Sequence, residues 1–148
     1  MEGQWCTIES DPKVFKRLAC KLGVLNVQFE EVLDLDSASL QLCQYERVYG
    51  FVFLFKWKQQ EKDEADDLSS TREPLIFIQQ NVTNACATIS ILHLAFNNPE
   101  IELSDKLKGF KDFITELPSD MRGMALTNSE AIRKAHNSFI SFGSISQD

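Results

Sequence analysis

The sequence has little of what membrane, secreted and metal-binding proteins carry. Among its 148 residues, no uncharged apolar run approaches the ~20 residues that span a bilayer. The first five residues have neither a basic region nor an apolar core, so we expect no secretory signal. No two cysteines have the spacing of a CxxC metal site, since they lie far apart at Cys6, Cys20, Cys43 and Cys86. We therefore expect neither a metal nor a membrane partner.

The chain has fewer basic residues than acidic ones, 15 against 22. Its formal net charge is -7 and its pI is about 4.8, whereas a protein that binds nucleic acid presents a basic face to the phosphates. We therefore expect no nucleic-acid partner, and an acidic surface better suits a basic protein partner. The length suits a single domain with a sizeable core.

The chain is organised around residues 79–89. A short apolar segment leads into this stretch, amides and a hydroxyl follow, and Cys86 then precedes a long apolar run. This order predicts a strand, a turn and a buried helix with the thiol in its first turn, where the helix dipole favours the nucleophilic thiolate. From the turn, the Gln80 amide could donate to an oxygen held over the sulfur. The alternative is a buried Cys86 that packs as a small hydrophobe.

Three segments read as strands. Residues 27–36 alternate between apolar and polar side chains, which predicts a half-buried strand. Residues 48–57 are almost continuously apolar and predict a strand that is buried on both faces. Residues 75–78 predict a short strand. The polar residues 59–73 between the last two segments predict a surface loop within the domain.

Helices are predicted from start and stop signals. Asp11 and Pro12 begin the first helix and Gly23 ends it, while Ser37 to Tyr45 holds a short helical turn. The remaining helices are expected to begin at four further residues, two of which are asparagines that cap through their side chains: Asn84, Ser104, Ser119 and Asn128.

A cysteine nucleophile needs an imidazole to accept its proton, and the chain contains only two histidines. His93 follows Cys86 by seven residues on the same helix, about 10 Å along the axis, which is too far for the ~3 Å contact that proton transfer requires. We therefore interpret His93 as a packed or surface residue. His136 lies on the apolar stripe of the last helix and is expected to be structural.

Several segments resemble the ubiquitin C-terminal hydrolases, a family of papain-like cysteine proteases, and the match is closest to the family's proteasome-associated isozyme. They occur in the family's order over nearly the whole chain: Trp5-Cys6-x-x-Glu9-Ser10-Asp11-Pro12-x-Val14-Phe15, residues 48–57, Gln80-x-x-x-Asn84-Ala85-Cys86-Ala87-Thr88, and Asn128-x-x-x-Ile132-Arg133-x-x-His136-Asn137-Ser138-Phe139. The resemblance implies an α+β fold in which helices cover both faces of a mostly antiparallel sheet.

The resemblance further implies a thiol protease, a deubiquitinase that hydrolyses the bond at the C-terminal glycine of ubiquitin through a thioester. Cys86 would be the nucleophile and Gln80 the oxyanion stabiliser, with no cofactor. The catalytic histidine and aspartate of the family come later than this sequence extends. Residues 1–148 are therefore expected to be the N-terminal portion of one catalytic domain, ending where the family's crossover loop begins.

The family also implies partners and a location. Ubiquitin and ubiquitin conjugates are the expected partners, and a proteasomal ubiquitin receptor would bind a C-terminal extension that this sequence lacks. Cytoplasm and nucleus are the expected compartments, because both keep thiols reduced. The alternative function is a catalytically incomplete module that binds ubiquitin without cleaving it.

Overall fold

The computed structural model describes residues 3–56 and 75–139. Six helices and two short strands occur in these two ranges. In chain order they are α1 (Pro12–Leu22), β1 (Val24–Leu25), α2 (Ala38–Leu42), α3 (Cys86–Phe96), β2 (Glu102–Leu103), α4 (Asp105–Thr115), α5 (Ser119–Asn128) and α6 (Glu130–Asn137).

Helix α1 begins and ends where the sequence predicts. The Asp11 side chain accepts a hydrogen bond from the backbone N–H of Lys13, and Pro12 occupies the first turn. Gly23 ends the helix with φ +102°, a left-handed conformation that glycine adopts at little steric cost. The predicted short helical turn is also confirmed, as α2.

A small antiparallel sheet that the sequence does not predict follows α1. Val24 pairs with Leu103 and Leu25 with Glu102. The backbone N–H of Ser104, the residue after β2, donates to the carbonyl of Gly23 at 2.7 Å. The sheet thus joins the end of α1 to the start of α4, which Ser104 caps by accepting from the N–H of Leu107, as predicted.

The core lies between three helices. Helix α1 packs against both α3 and α6, and α3 is buried around most of its circumference. This confirms the prediction of a buried helix after Cys86. Helices α4 and α5 add to this core, and its fully buried side chains include Leu18, Leu92, Ile114 and Leu126.

The predicted strand over residues 27–36 is wrong. Leu35 is 89% exposed, and no residue of this segment belongs to a strand. The Asp34 carboxylate accepts hydrogen bonds from the backbone N–H groups of Asp36 and Ser37, at 2.6 and 3.2 Å. A side chain that binds its own neighbouring backbone competes with strand pairing, and here it forms a turn before α2.

The predicted strand over residues 48–57 is also wrong for its described part, residues 48–56. Its three phenylalanines are exposed rather than buried, and Phe53 is 81% exposed. A strand requires a neighbouring strand to pair with, and residues 3–56 and 75–139 provide none beside this segment. Trp57 and the predicted loop over residues 59–73 lie outside the described residues.

Residues 75–78 do not form the predicted strand. Their backbone groups bind side chains from α3 and from the residue that follows it, and not a neighbouring strand. The backbone N–H of Ile76 donates to Asn97 Oδ1 at 2.8 Å, and Asn97 Nδ2 donates back to the Ile76 carbonyl at 2.9 Å. The N–H of Ile78 donates to His93 Nε2 at 2.9 Å. Ile78 is buried, so this segment is fixed against α3.

The α+β class is confirmed by comparison with a solved structure, given below, although the described part of the sheet is limited to β1 and β2. Among the described helices, none is long and apolar enough to cross a membrane.

Candidate active site

Cys86 is the first residue of α3 and is exposed. The thiol therefore lies where the sequence places it, in the first turn of a buried helix, and it is not sealed in the core. The backbone N–H groups of a helix's first turn have no partner within the helix and favour negative charge nearby. The geometry thus suits a nucleophilic thiolate better than it suits a packed apolar side chain.

The prediction that Asn84 caps α3 is wrong. Ala85 occupies the cap position, and no side chain caps the helix there. Asn84 instead has φ +70°, and its Nδ2 donates to the carbonyl of Trp5 at 3.2 Å. Asparagine tolerates the left-handed region better than most residues, so Asn84 makes the turn and anchors it to the N-terminal segment.

Gln80 is exposed and lies on the segment before the turn. Its Nε2 donates to the carbonyl of Val82 at 2.9 Å, so the side chain is oriented by the turn itself. The second hydrogen of that nitrogen has no partner within the described parts of the chain, and it remains available to a substrate oxygen. The roles of Cys86 and Gln80 stay predictions.

His93 has the packed role that its spacing predicts. Its Nε2 accepts the N–H of Ile78, and its ring stacks on Phe77 with 5.0 Å between the ring centroids. Burial lowers the pKa of His93, and a nitrogen that accepts a hydrogen bond must be unprotonated. The ring is therefore neutral and committed to residues 75–78.

His136 is fully buried, and both of its ring nitrogens are satisfied. Nε2 lies 2.7 Å from the carbonyl of Cys6, which can only accept, so Nε2 carries the proton. Nδ1 then accepts from the hydroxyl of Thr88, also at 2.7 Å. Burial lowers the pKa of His136, which keeps the ring neutral. The predicted structural role is confirmed by this geometry.

The N-terminal segment, residues 4–6, joins the Cys86 turn to α6. Asn137 binds it on two sides: Oδ1 accepts from the N–H of Cys6 at 2.9 Å, and Nδ2 donates to the carbonyl of Gln4 at 2.7 Å. The indole of Trp5 is buried and meets the His136 ring edge-on. Three successive carbonyls, at positions 4, 5 and 6, thus accept hydrogen bonds from Asn137, Asn84 and His136.

Sequence reasoning missed Thr88 as a functional neighbour of the site. A hydroxyl inside an apolar helix and an imidazole on an apolar stripe both need polar partners when buried, so each is a candidate partner for the other. This requirement could have been used to predict the contact between the two side chains from the sequence. No comparable signal exists for backbone carbonyls such as that of Trp5, because every residue has one.

None of the other three cysteines is the first residue of a helix, as Cys86 is. Cys20 and Cys43 are exposed, while Cys6 is partly buried, and burial raises the pKa of its thiol. All four cysteines are free. Within residues 3–56 and 75–139, no group of three or more histidine, cysteine, aspartate or glutamate side chains is placed to hold a metal ion.

The described geometry can be compared with known proteins. The sequence model of the protein family described as ubiquitin carboxyl-terminal hydrolase, family 1, matches residues 5–148 of the chain. The chain belongs to this family. Its match to the family model covers all four of the segments that carry the sequence resemblance, so the predicted family membership is confirmed.

Curated relatives agree with the family assignment. The chain is 46% identical over 138 residues to ubiquitin carboxyl-terminal hydrolase isozyme L5 of Dictyostelium discoideum, covering 91% of this chain and 38% of that protein. It is 44% identical over 138 residues to ubiquitin carboxyl-terminal hydrolase 2 of Schizosaccharomyces pombe, covering 91% of this chain and 45% of that protein. The chain therefore spans less than half the length of these relatives.

A solved structure shows the same fold. The catalytic domain of Trichinella spiralis UCH37, determined with ubiquitin vinyl methyl ester bound, is similar to this chain with a TM-score of 0.78 at 39% identity. The alignment covers 93% of this chain and 64% of that catalytic domain. The ubiquitin hydrolase fold predicted from the sequence is thereby confirmed.

Proposed function

We propose that this chain supplies the nucleophile of a deubiquitinating cysteine protease that acts at the C-terminal glycine of ubiquitin. The observation that carries the proposal is the exposed Cys86 thiol at the N-terminus of a buried helix, in a chain of the ubiquitin hydrolase family. The related UCH37 catalytic domain was solved with ubiquitin vinyl methyl ester bound to it.

The proposed first step is acylation. The Cys86 thiolate attacks the carbonyl carbon of the terminal glycine, and the oxyanion that forms is stabilised by the Gln80 amide and the N–H of Cys86. The bond to the leaving amine breaks, the amine takes up a proton, and water then hydrolyses the thioester. The proton transfers need a histidine, and His93 and His136 already hold hydrogen bonds to other parts of the fold.

The base and its orienting aspartate are therefore proposed to come from residues that follow this sequence. The predicted end at the crossover loop falls in residues 140–148, outside the described residues, and it stays a prediction. A proteasomal ubiquitin receptor that binds a C-terminal extension is proposed as a further partner. Cytoplasm and nucleus are proposed as the location, since an exposed nucleophilic thiol needs a reducing compartment.

The second candidate is a ubiquitin-binding module without turnover. The observation that favours it is the same engagement of both histidines, which leaves Cys86 without a general base among the described residues. A complete ubiquitin hydrolase would cleave a ubiquitin C-terminal reporter, whereas a binding module would bind ubiquitin and leave the reporter intact.

Labelling with ubiquitin vinyl methyl ester tests the proposal. We expect one adduct, mapped to Cys86 by peptide mass, and none with Cys86→Ala, which should still bind ubiquitin. Cys20→Ala and Cys43→Ala are matched controls, because both thiols are also exposed, and each should label like the parent. Labelling at Cys20 or Cys43 as fast as at Cys86 would overturn the nucleophile assignment and support the binding module.

A further inference from the structure

The segment that carries Gln80 rests on the first turns of α5. The backbone N–H of Gln79 donates to the carbonyl of Ser119, and Asn81 Nδ2 donates to the carbonyl of Asp120, both at 3.4 Å. Arg122 Nη1 donates to the carbonyl of Phe77, also at 3.4 Å. The residues on either side of Gln80 are thus bound to one helix, while Gln80 itself is free of it.

Gly123 lies at the centre of this contact. A Cβ placed on Gly123 would meet the carbonyl oxygen of Gln79 at 2.1 Å and Asn81 Nδ2 at 2.6 Å. Ordinary contacts at a Cβ are 3.4–4 Å, so any side chain here would force the segment or the helix to move by more than an ångström. Glycine weakens a helix interior, and at this position it permits the close approach of two backbones.

We propose that Gly123 is a positioning residue for the Gln80 amide, and that α5 is the platform which sets where that amide stands over the Cys86 sulfur. The inference rests on the proposed function, since it assigns a task to Gln80 in the acyl-transfer step. Misplacing a catalytic donor by about 1 Å can slow a reaction by about a hundredfold. A shift of the segment caused by a side chain at position 123 should therefore lower the acylation rate.

A reaction that needs no general base tests the proposal on this chain. Ubiquitin carrying a C-terminal thioester transfers its acyl group to Cys86: the thiolate forms a new C–S bond, a tetrahedral oxyanion appears, and the original thiolate leaves with its electron pair. No proton transfer or oxidant is required. Alkylation of Cys86 by iodoacetamide consumes the same thiolate but forms no oxyanion, so it reports on the thiol alone.

We expect Gly123→Ala to slow acylation by about tenfold to a hundredfold and to leave the alkylation rate unchanged. The matched control is Gly109→Ala in α4, where an added Cβ meets nothing within 4 Å, and which should slow neither reaction. Gln80→Ala should slow acylation by about a hundredfold. If Gly123 acts through Gln80, the double variant should be no slower than the slower single variant.

The outcomes separate the two proposals. If Gln80→Ala leaves acylation unchanged, the oxyanion role fails and with it the proposed function of Gln80. If Gln80→Ala slows acylation but Gly123→Ala does not, or if the two effects multiply, the positioning role of Gly123 is wrong. Equal slowing of acylation and alkylation by Gly123→Ala also overturns it.

A second variant covers the case in which Gly123→Ala does not fold. Asn81→Ala removes the bond to the Asp120 carbonyl and leaves the Gly123 contact in place. It should slow acylation less than Gly123→Ala does and leave the alkylation rate unchanged. Combined with Gln80→Ala, it should slow acylation no further than Gln80→Ala does alone. An acylation rate equal to that of the parent chain would contradict the platform.

Discussion

The hydroxyl of Thr88 donates to Nδ1 of His136 across 48 residues of sequence, and both side chains are fully buried. Thr88 lies in the first turn of α3, and His136 lies near the end of α6. This bond therefore fixes the helix that begins with Cys86 against the helix that holds the N-terminal segment.

Thr88→Val should destabilise the fold, because valine keeps the shape of threonine but leaves the His136 nitrogen buried without a donor. The expected loss is about 1–3 kcal/mol in the free energy of unfolding, measured by urea titration. Thr88→Ser is the control: it retains the hydroxyl and loses only a methyl group. A Thr88→Val variant as stable as the parent chain would show that the hydrogen bond does not stabilise the fold.

Stability should fall as the pH is lowered from about 7 towards 5, because the unfolded histidines titrate near pH 6.5. Burial lowers the pKa of both His93 and His136 in the folded chain, so the unfolded state binds protons more readily within this window. The stabilisation is complete above the unfolded value and is lost as the pH falls from there towards the folded values.

Thermal unfolding measured across that pH range checks this expectation. His93→Gln should make the pH dependence shallower, since one of the two imidazoles with a lowered pKa is removed. A melting temperature that rises on acidification from pH 7 to pH 5 would contradict the assigned direction for the two histidines.

Gly23→Ala should destabilise the chain severely. The residue has φ +102°, and an added Cβ would meet Ser104 Oγ at 2.2 Å, so both strain and a clash arise. The expected cost exceeds about 1 kcal/mol, the usual scale for a non-glycine residue in the left-handed region. Gly109→Ala should instead stabilise the chain by about 0.5–1 kcal/mol, because alanine favours the helix interior. Similar melting temperatures for the two variants would refute the strain argument.

The helices could be predicted from the sequence because their boundaries are local. Asp11, Gly23 and Ser104 act within their own turns, and each signal is confirmed. The last helix is a partial exception: Ser129 caps α6 by accepting from the N–H of Ile132, whereas Asn128, the predicted cap, is the final residue of α5. Two neighbouring residues with capping side chains cannot be ranked from sequence alone.

The strands could not be predicted because pairing is not local. Residues 48–56 have the apolar pattern of a buried strand, yet pattern alone does not supply the neighbour that a strand requires. Val24 and Leu25 carry no strand pattern longer than two residues and still pair with β2, since the end of α1 brings them beside it. In both cases, whether the segment forms a strand depends on whether the fold places another strand beside it.

The candidate site was partly predictable. The position of Cys86 at a helix start follows from the order of polar and apolar residues, and the structural role of His136 follows from its place on an apolar stripe. The role of Asn84 did not follow, because an asparagine before a helix can either cap it or adopt a left-handed turn. Only the position of the Trp5 carbonyl, set by the whole fold, decides between them.

The N-terminal segment binds residues that are made long after it. The bonds from residues 4–6 to His136 and Asn137 span 130 to 133 positions, so at about 5–20 residues per second the ribosome needs on the order of ten seconds to deliver them. During that interval the indole of Trp5 stays in contact with water or with a chaperone. The segment that anchors the Cys86 turn is therefore itself held in place only after α6 has been made.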